Sequence, residues 1–338
     1  MQNLTLAHIS DLHIGPLPRP SLGQLAGKRI TGFLSWRLRR ANIHHRAILE
    51  RLADDLTTQR PDHVAVTGDL VNIALPEEFR QAREFLGRIG GPERVTVIPG
   101  NHDAYVPLPW SQSLGLWEAY MTGRHGDVSD AGGARPPRDV RDFPFLQRIG
   151  DVALIGLSTA LPTVPFSAAG ELGTAQLQVL DRMLETLGRE DVFRVVLIHH
   201  PPFSGGAYRR KSLRDAADFA RTIAARGAEL VLHGHMHISS LGRLPGPIGS
   251  VPVIGVPSAS AVAVGKANHK DPSRYHIYRI SRAAPGAPWQ LEVSIREWQA
   301  DGSGFAPAGE ITLLGAGTSA GDGGTRGEGS GEHRSRCA

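Results

Sequence analysis

The 338 residues include a single cysteine, Cys337, so no intramolecular disulfide can form and nothing calls for an oxidising compartment. No apolar run approaches the ~18–20 residues that a membrane span needs. The opening residues, Met1-Gln2-Asn3-Leu4, lack a basic region leading into a long apolar stretch, so a secretory leader is not expected. A cytoplasmic location is the expectation. An excess of one charge is also missing. Lys and Arg total 37 against 33 Asp and Glu, a formal +4 that does not by itself point to nucleic acid. So mild a surplus suits local handling of anionic substrates. What the chain does have is length and histidine. At 41% hydrophobic residues it can bury one large core or two modest ones without staples, and several of its 15 histidines fall in short motifs.

Strand patterns alternate with helix patterns. Leu4 to Ile9 reads as a first strand. His44 to Gln59 has helical spacing, with Ile48, Leu49, Leu52 and Leu56 on one face. His63–Thr67 is a short strand, Glu77–Ile89 a helix opened by Pro76 and closed by Gly90-Gly91, and Val95–Ile98 another strand. Further strands are predicted at Val152–Leu157, Phe193–Ile198 and Glu229–Leu232, with helices at Thr174–Leu187 and Leu213–Ala225. The order predicts a layered α/β fold, with two sheets packed face to face between helices. Val251–Val256, Arg274–Ile280 and Leu291–Glu297 have no helix between them and read as an added antiparallel portion of one domain over 1–315. The Gly-rich stretch 316–338 has no apolar residues to offset ordering entropy and is expected to be disordered.

Five motifs follow predicted strands: Asp11-Leu12-His13, Gly68-Asp69, Gly100-Asn101-His102-Asp103, His199-His200-Pro201-Pro202 and Gly234-His235-Met236-His237. Open α/β sheets place their sites at that end of a strand. Asp11 and His13 are two apart, a spacing that on extended backbone sends both side chains to one side, and His235 and His237 repeat it. Carboxylate, imidazole and amide donors suit Mn, Fe or Zn, and the lack of thiolates argues against a structural zinc site. Seven donors are too many for one ion but suit two that share a carboxylate. Two ions ~3.5–4 Å apart form a clamp for in-line displacement at phosphorus. Any one of these short motifs is common by chance; together, each after an apolar strand, they are not.

With these motifs the chain resembles the calcineurin-like metallophosphoesterase superfamily from Asp11 to His237, about two thirds of its length. The resemblance implies a four-layer αββα fold and a centre of two divalent ions. It implies that Asp11, His13 and His237 bind one ion, that Asp69 bridges, and that Asn101, His199 and His235 bind the other. His102 becomes the candidate acid or phosphate donor, with Asp103 orienting and charging it. His200 would be a neighbour in the outer shell or substrate pocket. Many members read Gly-Asp-x-x-Asp where this chain has Asn72, which keeps hydrogen-bonding capacity without charge and leaves an outer-shell or substrate-binding role open. Of the remaining histidines, His8 reads as core and His233 as an orienting residue. His44, His45, His63, His125, His269 and His276 read as surface or helix residues.

An insertion over about 15–42 interleaves Arg19, Lys28, Arg29, Arg37, Arg39 and Arg40 with Leu25, Ile30, Phe33, Leu34, Trp36 and Leu38. Three readings stand: a helical hairpin packed on the domain, a cover for the active site, or a contact with anionic lipid. The stretch 111–141, led by Trp110, Trp117 and Tyr120, is a candidate second wall. The motif set most resembles the branch of 3′,5′-cyclic nucleotide phosphodiesterases. Hydrolysis of a small anionic phosphodiester such as cyclic AMP is therefore expected, with a second copy of the chain as a candidate partner and no nucleic acid. A hydrolase of lipid-linked nucleotide pyrophosphates, a nuclease and a non-catalytic scaffold are the alternatives.

Overall fold

In the computed structural model, residues 2–38, 42–126, 133–203, 211–262 and 271–314 are described. The Gly-rich tail, Cys337, His269, Arg39 and Arg40 lie outside them, as does part of the 111–141 stretch.

Strand β1 (Gln2–Ile9) is central to the first sheet. It pairs in parallel with β2 (His63–Val66), which pairs in parallel with β3 (Val95–Val97). On its other side the order is β11 (Arg274–Arg282), β12 (Gln290–Trp298) and β13 (Phe305–Leu314), all antiparallel. The second sheet runs β4 (Arg124–His125), β5 (Phe145–Ile149), β6 (Val152–Gly156), β7 (Phe193–Leu197), β8 (Leu230–His233), β10 (Ser250–Gly255) and β9 (Ser240–Pro245). Its middle, β6-β7-β8-β10, is parallel. The segment around Val251–Val256 is therefore not part of an antiparallel addition. It extends the parallel set, whereas β11 and β12 do pair antiparallel.

Alternation along the second sheet explains the layering. Val152 and Leu154, Val195 and Leu197, and Leu230 and Leu232 join the large core that also holds first-sheet residues. The intervening Ala153, Ile155, Val196 and Val231 join a separate core with α4 (Thr174–Leu187) and α5 (Ala216–Arg226). Successive side chains leave a strand on opposite faces, so apolar residues on both faces demand a layer on each side. Helices α2 (Arg46–Gln59) and α3 (Pro76–Ile89) send Leu49, Leu52, Phe79 and Leu86 into the large core. The architecture is the expected pair of sheets flanked by helices.

Two expectations change. Among its described residues the insertion carries one helix, α1 (Lys28–Leu38), rather than a hairpin. Phe33 and Trp36 pack half-buried against a small cluster of Leu17, Ile73 and Leu75, while Ile30, Leu34 and Leu38 face outward. Trp117 is no cleft wall. It is fully buried in the core, and its indole N–H donates to Phe79 O at 2.9 Å. Strands β4, β5, β9 and β13 carry no clear alternation of their own and were not expected.

Candidate metal centre

The five motifs follow β1, β2, β3, β7 and β8, so the ends of parallel strands from both sheets meet at one place. Asp69 Oδ2 lies 3.9 Å from His13 Nε2 and 3.4 Å from His199 Nε2. Its Oδ1 accepts a hydrogen bond from the His102 backbone N–H at 2.7 Å. One carboxylate thus faces two groups of donors. On one side, His13 and His237 have their Nε2 atoms 3.4 Å apart, and Asp11 Oδ1 is 3.1 Å from His237 Nε2. On the other, Asn101 Oδ1 is 3.2 Å from His199 Nε2, and His235 belongs to the same group as Asp69 and His199. All seven sequence-derived candidates come together.

The backbone that brings them there is not extended. Asp11, His13, Asp69, His235 and His237 all sit at φ between 42° and 69°. The spacing argument from an extended strand therefore fails, because tight left-handed turns aim these side chains. Non-glycine residues in that region cost of order 1–3 kcal/mol each and persist only when their surroundings over-determine them. Here they do. The N–H groups of Asp11 and His13 donate to Gly68 O and Asp69 O at 2.9 and 3.0 Å, and the His235 N–H donates to Asp11 Oδ2 at 2.8 Å. Close approach requires glycine at two positions. A Cβ on Gly100 would stand 2.3 Å from Asp69 Oδ1, and one on Gly234 would stand 1.9 Å from Ser10 Oγ.

Electrostatics shows what the cluster lacks. Burial alone would raise the Asp11 and Asp69 carboxyls, but the imidazoles around them hold both below their ordinary value. Burial would depress His199, yet Asp69 and Asp11 hold it up at about 9, so the carboxylates draw positive charge to this point. His235 Nε2 is buried without a hydrogen bond, and Asp11 Oδ1 is buried against the His237 ring at 3.1 Å. Orphaned buried acceptors beside desolvated carboxylates are costly unless a cation satisfies them. The donor set therefore fits divalent ions, and the His/Asp groups that could hold them accommodate two per chain. The His199 ring is oriented by Nδ1–H donating to Thr67 O at 2.6 Å, the outer hydrogen bond typical of ligating histidines.

Asp103 has a different role from the expected one, while Asn72 and His200 take the outer-shell place that was one of their two readings. Asp103 does not orient the His102 ring. Its carboxylate accepts the backbone N–H groups of Asp69, Gly100, Leu70 and Val71 at 2.8–3.1 Å and so ties the two ligand loops together. Burial, with the Asp69 charge, pushes it up to about 7. The His102 ring is held by Asn72 instead, whose carbonyl accepts from Nδ1–H at 2.5 Å. The Asn72 side chain is fully buried, with Nδ2 donating to Ile14 O at 3.1 Å, and is no substrate contact. His200 is equally buried. It donates through Nε2 to Ala168 O and accepts at Nδ1 from Thr159, and burial next to His199 lowers it to about 3. Neither of its ring nitrogens is left for substrate.

His44 was passed over as a surface or helix residue, yet its ring centroid lies 4.6 Å from that of His13 and 5.6 Å from that of His237. His63 and His276 are buried too, in β2 and β11. The signal missed was that His44 precedes the helix rather than lying in it. His8 and His233 are buried beside the site, His8 Nε2 meeting Thr67 Oγ1 at 2.8 Å. Helix α1 reaches the same region. Lys28 Nζ sits 4.3 Å over the Tyr105 ring, which stacks on His102 at 5.5 Å.

The model of the family described as Calcineurin-like phosphoesterase matches residues 4–239. Over 100 residues the chain is 34% identical to the glycerophosphodiester phosphodiesterase GpdQ of Enterobacter lignolyticus, a match covering 30% of each protein. The chain thus spans less than a third of the curated relative it matches. In fold it is similar to a dimetal phosphatase from Danio rerio, at a TM-score of 0.53 and 12% identity over 92% of this chain and 98% of that one. It is also similar to the purple acid phosphatase PPD1 of yellow lupin, Lupinus luteus, at a TM-score of 0.54 and 11% identity over 93% of this chain and 54% of that one. Identities this low establish shared fold alone.

Proposed function

The chain belongs to the calcineurin-like phosphoesterase family, and from that premise we propose that it is a metal-dependent hydrolase that cleaves phosphodiesters. The observation that carries this reading is the Asp69 carboxylate facing His13 on one side and His199 on the other. Asp11, His13 and His237 would hold one ion, Asn101, His199 and His235 the other, with Asp69 shared. Two ions in such a set lower the pKa of a water and offset charge on phosphoryl oxygens.

The chain's own groups do the rest. With Nδ1–H donated to Asn72 O, the His102 ring is fixed so that Nε2 is its working nitrogen. A proton delivered there to the leaving oxygen is what a poor alkoxide leaving group requires. Tyr105, stacked on that ring under Lys28, restricts its rotation. The relative named as a glycerophosphodiester phosphodiesterase supports a diester over a monoester. Cyclic nucleotides such as cyclic AMP and glycerophosphodiesters are the substrate classes of this reading, and the cytoplasm is its compartment.

The test is a panel in Mn²⁺ containing cyclic nucleotides, glycerophosphodiesters, nucleotide-linked pyrophosphates, phosphomonoesters and single-stranded DNA. Preferred turnover of small diesters is expected; turnover of monoesters alone would sink the proposal.

A second reading, hydrolysis of a lipid-linked nucleotide pyrophosphate, has support in the outward Ile30, Leu34 and Leu38 of α1, with exposed Arg37 among them. No helix among the described residues is long and apolar enough to cross a membrane. An amphipathic surface can nonetheless lie on one. Co-sedimentation with anionic vesicles, lost in an Ile30→Ser, Leu34→Ser, Leu38→Ser variant, would favour this reading. No sedimentation by the parent protein would remove it.

A further inference from the structure

His44 stands between α1 and α2, outside every motif that suggested a ligand. It is 9% exposed. Its backbone is clamped to the loop after β10: the His45 N–H donates to Ser260 O at 3.0 Å, the Val262 N–H donates to Ile43 O at 2.9 Å, and His44 bridges Ala261. Its ring is clamped as well, with Nδ1 2.7 Å from Ser260 Oγ. The neighbouring Ser258 hydroxyl donates to the Asp11 carbonyl at 2.6 Å, so one short loop braces both His44 and the first ligand turn. The candidate ligand atoms of His13, His44 and His237 all lie within 4.8 Å of one another.

Three buried imidazoles this close repel one another when protonated, and the hydrogen bond that His13 and His237 can share through Nε2, at 3.4 Å, is a long one. A cation between them reverses that balance. An outer hydrogen bond on the far nitrogen is the arrangement that fixes a ligating histidine.

We propose that His44 is a further ligand of the first metal position, joining Asp11, His13, His237 and Asp69 through Nε2. The inference rests on the two-ion reading above and deepens it. The two positions then differ in kind. The first offers three imidazoles and two carboxylates; the second offers two imidazoles, one carboxylate and the Asn101 amide. Imidazole favours Zn, Fe, Co or Ni over Mn and Mg, so the first position is the more selective for those ions. His44 also closes the basic, apolar insertion, so an ion held there pins the end of that insertion to the site.

The test is titration of the full-length, metal-free protein with Co²⁺, followed by calorimetry and by visible absorption of the bound ion. Wild type should bind two. Outer hydrogen-bond partners of metal ligands are worth roughly 10- to 100-fold in affinity, so losing a ligand should cost at least that. His44→Ala and His44→Gln should each weaken one of the two binding events by at least about tenfold, alter its absorption, and leave the other unchanged. Ser260→Ala should weaken the same event by roughly tenfold, and added imidazole should restore it in His44→Ala. Should His44→Ala fail to fold, His44→Gln and Ser260→Ala decide. Two wild-type binding events in the variants would overturn the role of His44 while leaving the two-ion centre standing. Fewer than two events in wild type would overturn the two-ion centre itself.

Discussion

Replacing Asp103 with asparagine separates a brace from a catalytic partner. The carboxylate accepts four backbone N–H groups, those of Asp69 and Gly100 on Oδ2 and of Leu70 and Val71 on Oδ1. Asparagine keeps the shape but has one acceptor oxygen. Whichever way the amide turns, two of the four N–H groups face an NH₂ instead. A buried donor left without an acceptor costs about 1–3 kcal/mol, so the variant should lose roughly 2–6 kcal/mol. Against a typical total of about 5–15 kcal/mol, that is large. The assay is urea unfolding of the metal-free protein at pH 8, where the carboxyl, pushed up to about 7, is ionised. Because folding raises this carboxyl, lowering the pH through 7 stabilises wild type while asparagine does not titrate, so the difference should widen by pH 6. Stability within about 0.5 kcal/mol of wild type at pH 8 would refute the brace. If turnover fell all the same, Asp103 would be acting on His102 after all.

Asp69→Ala should lose metal and turnover together, because the shared carboxylate faces both donor groups; two ions per chain by elemental analysis would remove it from that position. His102→Ala should keep both ions and slow alkyl-leaving diesters by roughly 10²–10⁴, and activated aryl diesters much less. Equal loss on both would mean that His102 binds phosphate rather than delivering a proton. Burial lowers His63 and His276 from 6.5 to about 4. A histidine depressed in the folded state leaves stability intact above pH 6.5 and erodes it as pH falls towards 4, by up to roughly 3 kcal/mol each. The urea midpoint should therefore fall across that window, and His63→Gln should flatten the fall; an unchanged slope in the variant would contradict the assignment.

Much of the scaffold was legible in the chain because burial imposes periodicity. Thr174–Leu187 is a helix with the bounds its spacing implied, and β1, β2, β3, β6, β7 and β8 lie within a residue or two of their apolar runs. Strands β4, β5, β9 and β13 were missed because they lie at or near a sheet edge and their sequences lack a clear apolar alternation. The donor residues were legible for a different reason. Metal chemistry restricts side-chain types, and each motif closes a strand, so Asp11, His13, Asp69, Asn101, His199, His235 and His237 could be named without coordinates.

Residue type and spacing thus determined which side chains are candidates, since both are local properties of the chain. Only tertiary structure decided what each one touches. Left-handed turns aim Asp11 and His237, a remote Asn72 carbonyl holds His102, and Asp103 spends its oxygens on backbone N–H groups from two loops. His44 enters the group through a serine more than two hundred residues away in sequence. Hydrogen-bond partners and ring contacts between distant segments have no period and no spacing to announce them, so packing alone reveals them.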